Sequence, residues 1–318
     1  MELPTFSHVS VLLSECIEAL AIRDGYTYVD CTTGGAGHSY EIARRMGPNS
    51  RLLCFDRDAD ALRAAASKLA PFSDRVTFIH DNFSELDRVL CEYRIDNLGG
   101  VLMDLGCSSY QFDTPERGFS YRADAPLDMR MDRDSLLDAY TVVNTYGEQE
   151  LKRILFEYGE ERFAPRIASA IVRAREEAPI RTTEELVNII RAAMPAKAKG
   201  EAQHPAKRSF QAIRIEVNGE LQAIEPAIKA AVRHMAPSGR VAIISFHSLE
   251  DRIVKRAYTE LASGCECPKD FPVCICGKKP LIDILTRKPI LPTEEELSVN
   301  PRSRSAKLRI AERLPNQL

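Results

Sequence analysis

The chain has 318 residues, of which 44% are hydrophobic and 28% charged, which is enough for about two ordinary globular domains. Its formal net charge of -3 excludes a nucleic-acid-binding surface that covers the whole protein, so any basic surface must be local. The first twenty residues contain neither a basic segment nor a long apolar run, which argues against secretion and membrane insertion. We therefore expect a cytoplasmic protein whose nine cysteines are reduced thiols.

Short apolar runs alternate with helical patterns in the first part of the chain. A helical pattern over residues 9–20 comes first, with apolar residues lining one side. Strands are predicted at 28–30, 51–55, 76–80 and 100–103, with helices at 38–46 and 59–69 and a further helix capped by Ser84. This rhythm predicts an α/β fold with a parallel sheet and helices on both faces.

A glycine-rich loop follows the first predicted strand, with the spacing Asp30-x-x-x-Gly34-Gly35-x-Gly37. Such a loop lets bare backbone N–H groups approach a ligand at a helix N-terminus. The next strand ends in Asp56, where a carboxylate can bind a ribose diol. The spacing differs from the dinucleotide pattern G-x-G-x-x-G and resembles the first motif of S-adenosylmethionine-dependent methyltransferases.

The alternation stops between residues 113 and 211, where helical patterns follow one another at 135–146, 148–158, 165–177 and 183–194. Pro165 suits a first helical turn, and Thr182 with Glu185 forms a capping box. The sequence therefore predicts a core made of residues 1–112 and 212–318, interrupted by an all-helical insert over 113–211.

The core pattern resumes with a helix predicted at 218–235, a strand at 240–245 and a helix that Ser248 caps. Two final strand-like runs, 281–287 and 306–312, predict an antiparallel hairpin at the sheet edge. Polar clusters follow consecutive strands at 34–38, 56, 81–83, 104–109 and 245–248. Because ligands of open parallel sheets bind beyond the carboxyl ends of the strands, these clusters predict one binding site.

Four cysteines, Cys265, Cys267, Cys274 and Cys276, form two C-x-C pairs. They could provide four thiolates to one zinc ion, although C-x-x-C is the usual spacing, and the alternative is a turn-rich loop of reduced thiols. A second local feature is a basic segment, with Arg191, Lys197, Lys199, Lys207, Arg208 and Arg214 against Glu201 alone. It indicates either phosphate contacts or a solvated face.

Long motifs in a fixed order carry a resemblance to a known family. They include residues 35–39, Phe55-Asp56-Arg57-Asp58, residues 104–109, Glu116-Arg117-Gly118-Phe119-Ser120, residues 127–132, residues 158–163, residues 245–252 and Asn300-Pro301-Arg302-Ser303-Arg304-Ser305. The chain resembles the RsmH (MraW) family of ribosomal RNA methyltransferases along nearly its whole length. Ala36, Cys107 and Tyr110 depart from the residues common in that family, which are Gly, Val and Pro.

The resemblance implies a class I, Rossmann-like methyltransferase with a mostly parallel seven-stranded sheet and a helical substrate-recognition insert. It implies methylation of N4 of one cytosine in the decoding region of small-subunit (16S) ribosomal RNA, in an assembled or assembling ribosomal subunit and away from membranes. It indicates no oligomeric state. Carried over by motif, the residues that contact S-adenosylmethionine are Gly35, Ala36, Gly37, His38, Asp56, Phe83, Asp104 and Gln111.

Methylation of an exocyclic amine requires a hydrogen-bond acceptor, and Asp104 is the candidate catalytic residue. Candidate substrate contacts are Ser108, Ser109, Lys207, Arg208 and His247. Three alternatives remain open at this point. They are a nicotinamide dehydrogenase on the same fold, an RNA cytosine-C5 methyltransferase that uses Cys107, and a non-enzymatic ribosome assembly factor.

Overall fold

The computed structural model describes residues 10–195, 204–264, 267, 273 and 275–315. They form two compact units, one made of the residues up to Gly106 and from Leu221 onward, the other of Cys107–Glu220. The sequence placed the boundaries after residues 112 and 211. The first observed boundary is earlier because Cys107 leads into the helix Ser109–Asp113, which contacts the turn Pro115–Arg117. The second is later because the helix Lys207–Asn218, which was not predicted, packs on its helical neighbours.

A seven-stranded sheet is the centre of the first unit, in the order β3-β2-β1-β4-β5-β7-β6. The strands are β1 Thr27–Asp30, β2 Arg51–Asp56, β3 Val76–His80, β4 Leu98–Asp104, β5 Met235–Ser245, β6 Ile282–Ile284 and β7 Lys307–Arg313. The first five are parallel, whereas β7 runs antiparallel to both β5 and β6. The prediction of a mostly parallel seven-stranded sheet is therefore confirmed.

Helices cover both faces of this sheet. They are α1 Leu13–Leu20, α2 Gly37–Arg45, α3 Ala59–Lys68, α4 Leu86–Glu92, α11 Glu220–His234, α12 Ser248–Ala262 and α13 Glu294–Val299. Successive strand residues point to opposite faces, so that Val101 and Met103 of β4 join one apolar cluster while Leu102 joins the other. Burial on both faces explains why the strands read as continuous apolar runs.

The second unit is helical around its own apolar cluster. Its helices are α5 Ser109–Asp113, α6 Ala139–Thr145, α7 Glu148–Glu157, α8 Ala164–Glu177, α9 Thr183–Ala193 and α10 Lys207–Asn218. Pro165 lies in the first turn of α8, and Thr182 with Glu185 forms the capping box of α9, as predicted. The predicted helix over 135–146 begins only at Ala139, because Asp138 caps it.

The helix predicted at 218–235 is confirmed as α11 Glu220–His234. Gly219, with a left-handed φ of 59°, separates it from α10, which was not predicted. Two predicted helix caps were wrong. Ser84 is not a cap, since its backbone N–H donates to Asn82, which caps the turn Phe83–Glu85. His247, rather than Ser248, caps α12.

The two terminal runs do form an antiparallel pair, with β6 at the edge of the sheet. The second run is not an edge strand, however, because β7 lies between β6 and β5 and pairs with both. Among the residues that the structure describes, no helix is long and apolar enough to cross a membrane.

Candidate cofactor and active site

Three carboxylates lie at the carboxyl ends of three adjacent strands. Asp30 ends β1, Asp56 ends β2 and Asp104 ends β4, and β1 lies between the other two strands. Asp30 is fully buried, and its oxygens accept the Thr32 N–H at 3.1 Å and the Ser39 hydroxyl at 2.6 Å. This edge of the sheet is acidic, so it disfavours a phosphate group and favours a cationic ligand.

Asp56 ties the glycine-rich loop to the end of β2. Its Oδ2 accepts the backbone N–H of Gly34 at 2.7 Å, and its Oδ1 accepts the backbone N–H of Asp58 at 2.9 Å. Burial raises the pKa of Asp56 to about 6, while the two backbone donors act in the opposite direction. Each oxygen keeps a second lone pair, which is the arrangement that a ribose diol requires.

The loop turns into α2 through two left-handed residues, Gly34 with φ of 48° and Ala36 with φ of 54°. This turn places the first N–H groups of α2 at the end of β1. Gly37 has a different reason to be glycine, since a Cβ there would lie 1.8 Å from the Ser10 hydroxyl oxygen. The carbonyl of Gly35 accepts the Lys68 ammonium at 3.2 Å.

Asp104 combines a partly open carboxylate with one buried oxygen. About a fifth of its side chain is exposed (22%), and its backbone N–H donates to the Thr32 hydroxyl at 2.7 Å. Its Oδ1 is buried and has no hydrogen-bond partner among the described residues. Burial, followed by the negative charges of Asp30 and Glu250, raises the pKa of Asp104 to about 8. At neutral pH the group is therefore mostly protonated in the free protein, and when ionised it is a strong acceptor whose Oδ1 has no donor among the described residues.

His38 was predicted to contact the cofactor, and the structure places it at the start of α2 with its ring buried. Its Nε2 lies 3.0 Å from the carbonyl oxygen of Val11, and its Nδ1 lies 3.9 Å from Asp104 Oδ2. The side chain thus bridges the segment before α1 and the end of β4. Burial lowers the pKa of His38, which keeps its imidazole neutral.

Glu250 was missed by the sequence reasoning. It is buried, and its Oε2 accepts the backbone N–H groups of Phe246 at 2.7 Å and His247 at 3.2 Å. In return, His247 Nδ1 accepts the Glu250 N–H at 3.5 Å, which completes a capping box at α12. The spacing of three residues between His247 and Glu250 was the available signal. His247 therefore has a structural role, and its contact with substrate remains a prediction.

Phe83 lies in the turn that Asn82 caps, and its ring packs half-buried against the apolar cluster that includes Leu86 and Val89. This places it after β3, beside the strand that ends in Asp56. Its contact with the cofactor remains a prediction.

Ser108, Ser109 and Gln111 belong to the helical unit. Ser108 caps α5, since its hydroxyl accepts the Gln111 backbone N–H at 3.3 Å. In return, the side-chain Oε1 of Gln111 accepts the Ser108 backbone N–H at 3.1 Å. Gln111 is buried, and Ser109 is the half-buried first residue of the helix. The site roles predicted for these three residues remain predictions.

The basic segment is less uniform than its sequence indicates. Lys207 is exposed at the start of α10, whereas Arg208 donates to the Glu160 carbonyl at 3.1 Å. Arg214 is mostly buried and pairs with both oxygens of Glu220 at 2.9 Å, so it adds no free charge. Lys197, Lys199 and Glu201 lie outside the described residues.

The predicted cysteine cluster is described only in part, because Cys265 and Cys274 lie outside the described residues. Cys267 Sγ accepts the Ile275 N–H at 3.4 Å, and Cys276 is exposed. Elsewhere in the described part of the chain, Asp87, Cys91 and His234 bring three possible metal ligands together. Arg233 and His234 already bond the Asp87 carboxylate at 2.8 Å and 3.0 Å, so this group is an ion-pair cluster.

The sheet order, the reversed β7, the glycine-rich turn and the acidic strand ends together define a class I S-adenosylmethionine-dependent methyltransferase. The model of the MraW methylase family matches residues 5–314, and the chain belongs to that family. Membership of this family argues against two of the alternatives, namely a nicotinamide dehydrogenase and a protein without enzymatic activity.

Curated relatives agree along the whole chain. A protein of Symbiobacterium thermophilum named "Ribosomal RNA small subunit methyltransferase H" is 55% identical, over 97% of this chain and 97% of its own. A protein of Finegoldia magna with the same name is 52% identical, over 97% of this chain and 99% of its own. The solved structure of a putative rRNA-methylase from Clostridium thermocellum is similar with a TM-score of 0.47 at 11% identity, covering 96% of this chain and 100% of that one.

Proposed function

We propose that this methyltransferase transfers a methyl group from S-adenosylmethionine to N4 of a specific cytosine in the decoding region of small-subunit ribosomal RNA, with Asp104 as the catalytic residue. The family and its relatives support the activity and the class of substrate. The observation that carries the role of Asp104 is its buried, unpartnered Oδ1 at the end of β4, among the described residues.

The residues at the strand ends fit S-adenosylmethionine better than a dinucleotide. Asp30, Asp56 and Asp104 make this edge acidic, which suits a sulfonium cation and would repel a pyrophosphate. Asp56 would hold the ribose diol, and the N–H groups that follow Gly34 and Ala36 would bind the polar amino-acid portion. The cofactor supplies an electrophilic methyl group when it is bound.

An exocyclic cytosine amine is a poor nucleophile, because its lone pair is delocalised into the ring. A hydrogen bond from its N–H to an acceptor favours the pyramidal amine, in which the lone pair is available to attack the methyl carbon in line. Asp104 Oδ1 is already desolvated and has no competing donor among the described residues. It would therefore bind the amine N–H without first breaking a bond of its own.

The helical unit is the proposed RNA-recognition part of the chain. Lys207 presents an exposed ammonium at the start of α10, and such a charge gains free energy by neutralising a backbone phosphate. Ser108, Ser109, Arg208 and His247 are further proposed substrate contacts. We also propose that the enzyme methylates the RNA within an assembled or assembling small ribosomal subunit in the cytoplasm.

The remaining alternative is methylation at C5 of cytosine, which requires a cysteine thiolate to attack C6. Asp104-Leu105-Gly106-Cys107 has a cysteine in a comparable position but lacks the proline of the Asp-x-Pro-Cys motif. Directly after β5 the chain has Phe246-His247, where those enzymes have a second Thr-Cys pair. Amine methylation needs only the acceptor that Asp104 provides.

Calorimetry combined with a transfer assay tests the proposal. The protein should bind S-adenosylhomocysteine and not NAD, and should move a labelled methyl group onto small-subunit RNA. Asp104→Asn should reduce kcat by about 100-fold or more, the usual range for loss of a general base. Because Asp104 is also a predicted cofactor contact, the affinity of the Asp104→Asn variant for S-adenosylhomocysteine must be measured in parallel. Unchanged kcat in Asp104→Asn would remove Asp104 from the chemistry.

A further inference from the structure

The ring of His38 has one fixed tautomer. Its Nε2 lies 3.0 Å from the Val11 carbonyl oxygen, and a carbonyl oxygen can only accept, so Nε2 carries the proton. The ring is buried, which lowers the pKa of His38 and keeps it neutral. In a neutral imidazole with a protonated Nε2, Nδ1 has a free lone pair.

That lone pair faces the catalytic carboxylate. His38 Nδ1 lies 3.9 Å from Asp104 Oδ2, which is close but longer than a direct hydrogen bond. Catalytic hydrogen bonds are often long in the free enzyme and tighten in the complex. Asp104 thus has two oxygens with separate surroundings, Oδ1 without a partner among the described residues and Oδ2 beside an acceptor nitrogen.

We propose that His38 is the positioning residue and proton partner of Asp104. Its Nδ1 accepts a hydrogen bond from the Asp104 carboxyl O–H at Oδ2 and so favours the protonated form and orients the group, while its Nε2–H stays on Val11. This inference rests on the proposed function, because it assigns a role within amine methylation.

The proton balance is complete within the pair. Methyl transfer leaves one excess proton on N4, and breaking that N–H bond returns the electron pair to nitrogen as an O–H bond forms on Asp104. The proton stays on Asp104, whose O–H donates to His38 Nδ1 while the imidazole remains neutral. Release of that proton to solvent restores both groups for the next turnover.

Charged and titratable groups surround the pair on every side. Asp30 at the end of β1 lies near both members, and its charge favours a protonated His38. Lys68 of α3 acts against that protonation. Glu250 of α12 and Asp30 disfavour a second negative charge at Asp104, and the buried thiol of Cys16 in α1 lies close enough to sense the Asp104 charge. These surroundings favour a proton on Asp104, whose pKa is raised, whereas burial keeps His38 neutral.

Two substitutions separate the roles of the two ring nitrogens of His38. His38→Gln places an amide nitrogen near the position of Nε2, so it keeps the bond to Val11 and removes only the nitrogen that faces Asp104. His38→Asn does the reverse, since its amide lies near the position of Nδ1 and cannot reach Val11. His234→Gln is a matched control, because His234 is paired with Asp87 on another part of the sheet unit.

In His38→Gln we expect kcat for RNA methylation to fall roughly 10- to 100-fold. Its melting temperature should stay near that of the wild type. Its affinity for S-adenosylhomocysteine is measured in parallel, because His38 is itself a predicted cofactor contact. The pH midpoint of kcat should move to lower pH, because Asp104 loses the acceptor that favours its protonated form. His234→Gln should retain the wild-type kcat and pH midpoint.

Nitrogen-15 NMR of the imidazoles gives a readout that does not depend on activity. The Nδ1 signal of His38 should titrate together with Asp104 in the wild type and should lose that transition in Asp104→Asn. Normal kcat and pH midpoint in His38→Gln, with loss of stability in His38→Asn, would overturn the inference and leave His38 as an anchor for Val11. Absence of methyl transfer by the wild-type protein would instead contradict the proposed function itself.

Discussion

The carboxylate of Asp56 accepts the backbone N–H of Gly34 at 2.7 Å, across the boundary between β2 and the glycine-rich loop. The loop and the predicted ribose-binding residue are therefore one hydrogen-bonded unit. Since Asp58 donates to the other oxygen at 2.9 Å, a change at Asp56 alters the start of α3 as well as the loop.

Substitution of Asp56 should weaken cofactor binding in two steps. Asp56→Asn keeps one oxygen acceptor, and we expect a loss of about tenfold in affinity for S-adenosylmethionine. Asp56→Ala also frees the Gly34 N–H, and should lose roughly 1.5–3 kcal/mol, the usual value for hydrogen bonds to a charged group. Calorimetry measures both variants. Wild-type affinity in Asp56→Ala would place the ribose contact elsewhere.

Ala36→Gly should have almost no effect on stability. Relief of the left-handed backbone at φ of 54° would stabilise the fold by about 1 kcal/mol, and loss of the buried methyl group would cost about 0.8 kcal/mol. Ala36→Val should destabilise strongly, because a β-branched side chain is poorly tolerated in that conformation. Chemical denaturation compares the two variants, and a stable Ala36→Val would show that the turn can adopt another shape.

The protein without cofactor should lose stability as the pH rises from about 4 to 8. Burial raises the pKa of Asp104 from its ordinary value of 3.8 to about 8, so the folded state binds more protons than the unfolded state across that window. The contribution of Asp104 to the free energy of unfolding is therefore fully present below its unfolded-state pKa, and it is lost as the pH rises toward its folded-state pKa. Asp56 contributes in the same direction up to about pH 6.

Asp104→Asn removes this ionisation, so at pH 8 it should melt a few degrees above the wild type and show a shallower pH dependence. Melting curves between pH 5 and 9 without cofactor measure both quantities. A wild-type protein that becomes more stable across this window would indicate that Asp104 is ionised with an ordinary pKa.

Lys207→Glu should raise the KM for RNA and reduce the slope of log affinity against log salt by about 1, because one phosphate contact is lost. Affinity for S-adenosylhomocysteine should not change. Lys152→Glu is the matched control, since Lys152 is an exposed lysine on α7 of the same unit. Equal effects of the two substitutions would mean that Lys207 lies on a solvated face.

Much of the fold could be predicted from local patterns. The strands β1 to β5 were predicted from short apolar runs. The Thr182 cap and the position of Pro165 in the first turn of α8 follow from residues close in sequence. The position of β7 could not be predicted in the same way, because its pairing with β5 joins residues about 65 positions apart, as in Arg309 with Ile243. Helix α10, which Gly219 separates from α11, was also not predicted.

In the candidate site too, local patterns predicted individual residues, whereas contacts made by tertiary packing could not be predicted. Asp56 and Asp104 were identified because strand ends are visible in the sequence, and Asp30 belongs to the same loop motif. The partners of these carboxylates depend on tertiary packing. The approach of His38 to Asp104 joins the start of α2 to the end of β4, which sequence spacing does not relate. The Glu250 contact with the His247 backbone is local, so its spacing was visible in the sequence although it was missed.

Cys107→Ser should retain most of the activity and form no covalent adduct with RNA that contains 5-fluorocytosine. Amine methylation needs no attack on C6, so the thiol has no covalent role. Gel electrophoresis under denaturing conditions detects such an adduct with the wild-type protein. A trapped wild-type adduct that disappears in Cys107→Ser would assign the reaction to C5.

Mass spectrometry of the methylated nucleoside tests the central claim most directly. The purified protein is incubated with small-subunit ribosomal RNA, free and in assembled subunits, and with methyl-labelled S-adenosylmethionine, and the RNA is then digested to nucleosides. We predict labelled N4-methylcytidine from a single position, formed by the wild type and nearly lost in Asp104→Asn. Labelled 5-methylcytidine, or label on another base, would contradict the account.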